Sequence, residues 1–453
     1  MDKKISSNNR IFEKLSAVYL LLMLSAFLLY PGTGGYAEMT KEKWKAYLLL
    51  TGLFLAVSIL LRAELALVAG YKLQTPRRFW QRLNLVQKLI IVYWGLSLLS
   101  AVVSVDRRTA FFGNARCEGL IAITLYCGSF LMISLYGKPD KLLLAVFGAA
   151  MTANCILCLI QLAGHNPFSL YPQGMNYYDA NKLYSGEFLG TVGNVDLLSA
   201  VLTLSIPVFA VSIWKLRGRW RYLLLIPLLL CIYVLVRSRV AGGFIGLAGC
   251  LLISVPVLIH DRKKKRFFIA VSLIIVILGI AAVYFFGGRF SGTLYEFSEV
   301  LHGRINDNFG SKRVFIWRNV LTLIPERPLL GGGPDTLGLR MQVGFERYDE
   351  ELGMLITSTI DAAHNEYLNI LANQGVLALI VYLSALIVSA ICWFRSADSV
   401  AEAAICGSAV LGYCIQAFFG LSSPISAPFF WIAFSLLNNT QTTRKGEPYV
   451  KVK

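Results

Sequence analysis

The chain has 453 residues, of which 56% are apolar and only 15% charged, and its mean hydropathy is +0.61. Soluble globular proteins usually carry about 45–50% apolar and about 25% charged residues. The composition therefore excludes a disordered, fibrous or disulfide-scaffold protein and predicts a chain surrounded largely by lipid. The net charge of +17 is compatible with a nucleic acid or a membrane surface as partner, and the placement of the charges decides between them.

Apolar runs recur along the whole chain and predict an all-α polytopic membrane protein with about twelve transmembrane helices. A hydrocarbon core of ~30 Å needs about 20 helical residues, so the seventh and twelfth predicted spans are short. The spans are residues 15–30, 46–69, 86–104, 119–136, 142–163, 191–213, 222–236, 240–259, 267–287, 367–394, 403–421 and 426–438.

The connections between these spans alternate in charge. Basic residues concentrate in the two termini and in segments 71–88, 138–141, 215–221 and 262–266, whereas the other connections hold basic and acidic residues in nearly equal numbers. Basic residues in short loops stay in the cytoplasm, so we expect a multi-pass protein of the cytoplasmic membrane with both termini cytoplasmic. The positive charge is then a topology signal. No nucleic-acid-binding module accompanies it, and we expect membrane lipids and no nucleic acid as partners.

Residues 288–365 form one long connection on the exterior side, far longer than the usual ~2–8 residues between helices. The aromatic residues Phe315, Trp317, Phe345 and Tyr348 predict a large folded subdomain, with a short helix capped by Ser311 and running to about Ile324. The predicted division of the chain is 1–287 (nine spans), 288–365 (extracytoplasmic loop with short helices), 366–438 (three spans) and 439–453 (cytoplasmic tail).

The turn Arg237-Ser238-Arg239 places two arginines between hydrophobic helices on the exterior side. Cations at such a depth usually meet an anion or a water-filled cavity. Two guanidinium groups suit a phosphate or diphosphate, because each offers planar bidentate donors. The alternative is an ordinary interfacial turn whose arginines reach up to lipid head groups.

The long connection also carries arginines that suit a phosphate or diphosphate. Arg313 and Arg318 flank Trp317, and the glycine triplet 331–333 follows. Such a triplet either presents backbone N–H groups to an anion or forms a tight turn. It lacks the Lys-Ser/Thr of a nucleotide P-loop, so ATP hydrolysis is not indicated.

His364-Asn365-Glu366 stands at the outer mouth of the tenth predicted span. A histidine there is suited to act as a general base near neutral pH, with Asn365 or Glu366 orienting it or contacting a sugar. The alternative is a histidine that merely bonds backbone at a helix start. No second histidine or cysteine completes a ligand set, so no metal site is predicted.

Segment 186–196, which contains Asn194, combines glycines with polar side chains beside a predicted span. It is compatible with a loop that lines a cavity, in which Asn194 contacts substrate, or with a helix cap and turn.

Taken in order, these segments resemble the O-antigen ligase and polymerase family of membrane glycosyltransferases. The matching motifs lie at residues 190–194, 237–242, 313–317, 327–334 and 364–368, followed by Gly375, and the resemblance extends over about residues 85–435. One departure is that Asn194-Val195-Asp196 stands where the family pattern resembles Asn-Pro-Asn.

The resemblance implies a GT-C-like fold that transfers a glycan from undecaprenyl diphosphate to an acceptor hydroxyl at the extracytoplasmic face. Arginines matching Arg237 or Arg239, and Arg313 or Arg318, are implied to hold the diphosphate, and the histidine matching His364 to activate the hydroxyl. The reaction is implied to need no metal, nucleotide or other cofactor, and direct attack on the anomeric carbon would invert its configuration.

Two other classes of protein remain as alternatives: a transporter of lipid-linked glycans and a non-catalytic component of a membrane assembly. A transporter typically places its binding residues near the bilayer midplane, whereas the polar motifs here gather at one face. For an enzyme, three acceptors stay open: the lipid A core (a ligase), a growing glycan (a polymerase) or a protein serine or threonine (an O-oligosaccharyltransferase).

Overall fold

The computed structural model describes residues 2–67, 75–183, 186–349 and 354–443. Most of these residues are helical, and two short antiparallel hairpins, β1–β2 (Phe188–Leu189 with Gly193–Asn194) and β3–β4 (Gly344–Asp349 with Met354–Thr359), complete the fold. The helices in chain order are α1 (Asp2–Leu22), α2 (Gly35–Leu67), α3 (Pro76–Arg82), α4 (Leu85–Val102), α5 (Arg107–Phe112), α6 (Leu120–Tyr136), α7 (Lys141–Leu162), α8 (Tyr177–Leu183), α9 (Val195–Lys215), α10 (Leu225–Ser238), α11 (Ala241–Leu258), α12 (Arg262–Phe286), α13 (Thr293–Leu301), α14 (Arg313–Thr322), α15 (Leu337–Arg340), α16 (Glu366–Phe394), α17 (Ala401–Gln416) and α18 (Ala427–Thr443).

Nine helical segments within the described residues are long and apolar enough to cross a membrane, and the chain is an all-α multi-pass membrane protein. They are α2, α4, α7, α9, α10 with the 3₁₀ turn before it, α11, α12 with the 3₁₀ turn after it, α16, and α17 with the 3₁₀ turn after it.

The prediction of twelve spans is therefore wrong in number. Helix α6 has only 17 residues, which at 1.5 Å per residue spans about 26 Å and falls short of a ~30 Å hydrocarbon core. Helix α18 has the same length, and α1 begins with a polar and charged half before its apolar residues. All three pack in the bundle at the places where spans were predicted, but length or charge sets them apart from the other nine.

Helix α9 lies at the centre of the bundle, where it packs against α10, α11 and α17. Its small polar residues Ser199, Thr203 and Ser205 are fully buried, and the hydroxyls of Thr203 and Ser205 donate to backbone carbonyls one turn earlier. Helix α12 is the opposite case, because none of its residues is buried. The N-terminus of α9 is therefore held rigidly at one end of the bundle.

Helix α16 is interrupted at Gly375, which adopts φ +84°. A Cβ atom at this position would lie 2.2 Å from the carbonyl oxygen of Leu329, so only glycine permits this approach. Segment 328–333 fills the interruption: the N–H of Val376 donates to Pro328, while those of Gly332 and Gly333 donate to Ala372 and Asn373. The glycine triplet thus forms the tight turn that was one of its two predicted roles. Its N–H groups are used within the protein rather than presented to an anion.

The described residues of the long connection show no large separate subdomain of the kind that the sequence predicted. Its apolar cluster consists of Ile316, Val320, Leu337, Ile360 and Ala363 together with Ala372 of the membrane helix α16. Because the cluster is completed by a residue of the bundle, the short helices form a layer packed on that bundle. The side chains of Phe345 and Tyr348, predicted to belong to the subdomain, lie outside the described residues.

Helix α14 begins later and ends earlier than predicted. Ser311 and Lys312 both have positive φ values, +55° and +66°, and Lys312 occupies the N-cap position. The prediction that Ser311 caps this helix is therefore wrong, because a left-handed turn at Ser311 and Lys312 redirects the chain immediately before Arg313.

Candidate functional site

His364 lies in a left-handed turn, with φ +48°, directly before helix α16. The carbonyl of Ala363 accepts a 2.9 Å hydrogen bond from Nε1 of Trp317 on α14. On the other side, Oδ1 of Asn365 caps α16 by accepting from the N–H of Leu368 at 3.0 Å. The backbone on both sides of His364 is thus fixed by neighbours in two helices.

Three of the four charges that act on His364 come from distant parts of the chain, and the fourth, Asp361, lies three residues before it. Burial, together with the positive charges of Arg313 and Arg116, lowers the pKa of His364 to about 4, and Asp196 and Asp361 oppose this shift. The imidazole is therefore neutral at pH 7 and carries no second ring proton, and the same shift makes it a weaker base than an exposed histidine.

Arg313 forms the first of two ion pairs at this site. Its Nη2 lies 3.5 Å from Oδ2 of Asp196 in the first turn of α9, and its Nη1 donates to the carbonyl of Gly310 at 3.1 Å. Nε of Arg313 is buried and has no hydrogen-bond partner. The two protein contacts therefore leave the guanidinium only partly hydrogen-bonded, and this buried N–H is itself closed to a ligand.

Arg116 forms the second ion pair and was missed by the sequence analysis. It lies in the connection between α5 and α6, and its Nε and Nη2 donate to Oδ2 and Oδ1 of Asp361 at 2.8 and 3.1 Å. Arg116 and Asp361 lie far apart in the chain, so no local pattern could pair them. The sequence offered one indication: Arg116 and Asp361 lie in connections that the alternation of charge predicts to be on the same side of the membrane.

Asn194 and the segment around it adopt the simpler of their two predicted roles, a helix cap and turn. The β1–β2 hairpin turns through residues 190–192, and Oδ1 of Asn194 accepts from the N–H of Asp196 at 2.9 Å, which caps α9. This cap directs the side chain of Asp196 towards Arg313. A contact between Asn194 and substrate stays a prediction.

Arg237 and Arg239 lie at the end of α10 and in the turn that follows. Both are exposed; Nη1 of Arg237 donates to the hydroxyl of Tyr233 at 3.1 Å, and Arg239 adopts a left-handed conformation. A Cβ atom added to Gly243, one turn after Arg239, would touch Oγ of Ser199, one turn after Asp196. The two arginines therefore lie at the same end of the bundle as the Arg313–Asp196 pair, without belonging to the four charges named around His364.

Arg318 lies on α14 but faces elsewhere. Five residues separate it from Arg313, which places the two side chains roughly 140° apart around a helix of 3.6 residues per turn. Its Nη1 is 2.9 Å from Oδ1 of Asp307, and both side chains are largely exposed. The structure thus brings Arg313, and not Arg318, to His364.

Glu366 lies in the bundle interior rather than on the exterior surface. Its carboxylate accepts hydrogen bonds from the hydroxyls of Tyr382 at 2.8 Å and Tyr413 at 3.0 Å. It also lines a polar cavity of about 30 Å³, room for one or two water molecules, together with Glu118, Asp335 and Asn373. A sugar contact from Asn365 or Glu366 stays a prediction.

In the part of the chain that the structure describes, no group of three or more His, Cys, Asp or Glu side chains is arranged to hold a metal ion. The side chains that converge at the N-terminus of α16 are two charged arginines, two charged aspartates and the neutral His364. Such a set is suited to bind an anion and accept a proton.

Comparison with known proteins locates this site in a recognised domain. Residues 226–383 match the O-antigen ligase family (Wzy_C), and this segment contains Arg237, Arg239, Arg313 and His364, but not Arg116 or Asp196. No curated protein matches the chain. Residues 226–383 of this multi-pass membrane protein are therefore a domain of the O-antigen ligase family.

Proposed function

We propose that the protein transfers a glycan from a lipid diphosphate, undecaprenyl diphosphate, to an acceptor hydroxyl at the extracytoplasmic face of the membrane. The O-antigen ligase domain implies an enzyme of glycan transfer in polysaccharide biosynthesis, which uses a lipid-linked donor and an acceptor. The observation that carries the finer proposal is the placement of His364 in a turn that Trp317 holds, within the electrostatic reach of the Arg313–Asp196 ion pair.

In the proposed reaction, His364 accepts the proton of the acceptor hydroxyl as its oxygen attacks the anomeric carbon. The bond from that carbon to the diphosphate oxygen breaks, and the configuration inverts. Arg313 stabilises the negative charge that grows on the leaving diphosphate, an effect that is strongest where water is excluded. A positioned general base contributes about 10²–10⁴-fold. No metal ion takes part.

Arg237 and Arg239 serve in this proposal as exposed cations that attract the donor towards the same end of the bundle. Their exposure gives them freedom to move towards a diphosphate. Arg318 is already paired with Asp307, so it is the least favoured of the four predicted arginines as a ligand of the diphosphate.

The test measures donor binding and single-turnover transfer separately for purified protein in nanodiscs with a lipid-diphosphate-linked glycan. Arg313→Ala should weaken donor binding by roughly 10- to 100-fold, because hydrogen bonds to charged groups are worth about 1.5–3 kcal/mol. The matched control is Arg304→Ala, an exposed arginine of the same connection that pairs with Glu299. Normal donor binding by Arg313→Ala would refute the proposed diphosphate site.

The membrane orientation is part of the proposal. Both termini and the basic connection near residue 264 are placed in the cytoplasm, and residues 288–365 outside. Reporter fusions near residues 264 and 445 should read as cytoplasmic and one near 345 as exterior; residue 445 lies outside the described residues. A cytoplasmic reading near 345 would put His364 on the wrong side for an extracytoplasmic reaction.

The acceptor is best identified from the glycans of a deletion strain. Loss of long polymers with single repeats retained would indicate a polymerase. Intact lipid-linked polymers that lack their final attachment to the lipid A core or to protein would indicate a ligase or an O-oligosaccharyltransferase.

A further inference from the structure

Arg116 stands outside the matched segment, yet the connection that carries it has a well-defined shape. Gly113 adopts φ +85°, and a Cβ atom there would lie 2.8 Å from Cα of Cys117. Oδ2 of Asp335 accepts from the N–H groups of Asn114 at 2.6 Å and Glu118 at 3.2 Å. The connection is thus braced by its own turn and by Asp335, without help from the Arg116 side chain.

The Arg116–Asp361 pair has the fork geometry with which arginine binds carboxylates and phosphates. The side chains of Arg116 and Asp361 retain 31% and 35% of their exposure, so a solute anion can reach the pair. A pair this exposed contributes only about 0–1 kcal/mol to stability. The pair therefore adds little to the stability of the fold, and a role in binding an anion explains it better.

The same arrangement occurs twice around one histidine. Arg116 pairs with Asp361, three residues before His364, and Arg313 on α14 pairs with Asp196 at the start of α9. Both guanidinium groups contribute to the lowered pKa of His364, and each carries an aspartate as its counter-ion. Without ligand these four charges cancel. A diphosphate brings at least two negative charges, and pairs of its oxygens can accept the same two-pronged hydrogen bonding from a guanidinium as a carboxylate does.

We propose that Arg116 is a second anchor for the donor diphosphate beside Arg313, and that Asp361 and Asp196 are internal counter-ions which the diphosphate displaces. This inference rests on the proposed function and extends its donor site to a residue before α6. In the bound state the two arginines hold the diphosphate next to His364, and the released aspartates turn to solvent.

The experiment titrates undecaprenyl diphosphate into the full-length protein in nanodiscs and records the dissociation constant and the thermal unfolding midpoint. Arg116→Ala should weaken binding by roughly 10- to 100-fold, and Arg116→Lys should restore it only in part, because an ammonium lacks the fork. Asp361→Asn should tighten binding, since the competing carboxylate is gone. The matched control is Arg108→Ala, an exposed arginine on the neighbouring α5, which should bind as the wild type does.

The outcomes separate this inference from the proposed function. If Arg313→Ala loses binding while Arg116→Ala binds normally, Arg116 is not an anchor and the proposed function stands. If both variants bind normally, the diphosphate site itself is refuted. If Asp361→Asn weakens binding and lowers the unfolding midpoint, the ion pair is a structural brace and the inference is overturned. The Asp361→Asn variant gives this answer even if Arg116→Ala does not fold.

Discussion

Nε1 of Trp317 donates a 2.9 Å hydrogen bond to the carbonyl of Ala363, the residue before His364. The indole also packs edge-on against Phe418, with ring centroids 5.7 Å apart. Helix α14 thus carries both Arg313, one of the charges beside His364, and the side chain that holds the backbone of His364. The diphosphate anchor and the general base of the proposed reaction are set by one short helix.

Trp317→Phe should therefore lower the single-turnover rate roughly fivefold with little change in donor affinity. Phenylalanine keeps the ring packing but loses the hydrogen bond, worth about 1 kcal/mol net, and His364 becomes less well positioned. Trp80→Phe, at an exposed position on α3, is the control. A rate equal to that of the wild type would show that the bond does not position His364.

His364→Ala should leave donor binding nearly intact while the single-turnover rate falls by about 10²-fold or more, because a general base acts only as the acceptor attacks. His302→Ala is the matched control. His302 lies in the same long connection, where its ring stacks on Tyr284 and Nδ1 lies 2.7 Å from the carbonyl oxygen of Ser298. Equal losses in both variants would point to folding rather than catalysis.

The pH dependence of kcat/KM should show an acid limb close to pH 4 rather than 6.5. His364 must be neutral to act as a base, and burial with Arg313 and Arg116 lowers its pKa to about 4, against the opposing effect of Asp196 and Asp361. Transfer should therefore persist as the pH falls through 6.5 and be lost only lower. Asp196→Asn removes a negative charge that favours the protonated ring and should move the limb further to acid. An acid limb near pH 6.5 that does not move in the Asp196→Asn variant would exclude His364 as the base.

Gly375→Ala should destabilise the protein. A Cβ atom there would lie 2.2 Å from the carbonyl oxygen of Leu329, and the backbone conformation, φ +84° with ψ 175°, is one that essentially only glycine adopts. The control is Gly95→Ala in α4, where an added Cβ meets no atom within 4 Å. The thermal unfolding midpoint in detergent should fall for Gly375→Ala and hold for Gly95→Ala; equal midpoints would mean that segment 328–333 moves aside freely.

Treatment with EDTA should leave glycan transfer unchanged when lipid-linked donor is supplied. Arginines provide the positive charge in the proposed reaction, and the described residues hold no cluster of metal ligands. The measurement is the initial rate before and after chelation. Loss of activity that a divalent ion restores would contradict the mechanism.

Local sequence patterns predicted the membrane class and the helical segments well, and they predicted the number of spans less well. Hydrophobic runs depend only on neighbouring residues, so they reveal a chain in lipid whatever the topology. Whether a run is long enough to cross the bilayer depends on where its helix ends. Helix α6 ends at Tyr136, before Gly137 and Pro139, so the predicted span 119–136 was right to within one residue and only its length of 17 residues falls short of a full crossing.

For the site, the sequence by itself indicated which residues are chemically able to act: His364 at a helix entrance, and arginines in connections predicted to share one side of the membrane. Only the tertiary structure decided which of them meet. In the structure Arg313 lies near His364, whereas Arg318 pairs with Asp307. Arg116 joins the site because it pairs with Asp361, 245 residues further along the chain. The physical reason is that an ion pair depends on the position of two side chains in space, and contacts between segments far apart in the sequence fix those positions.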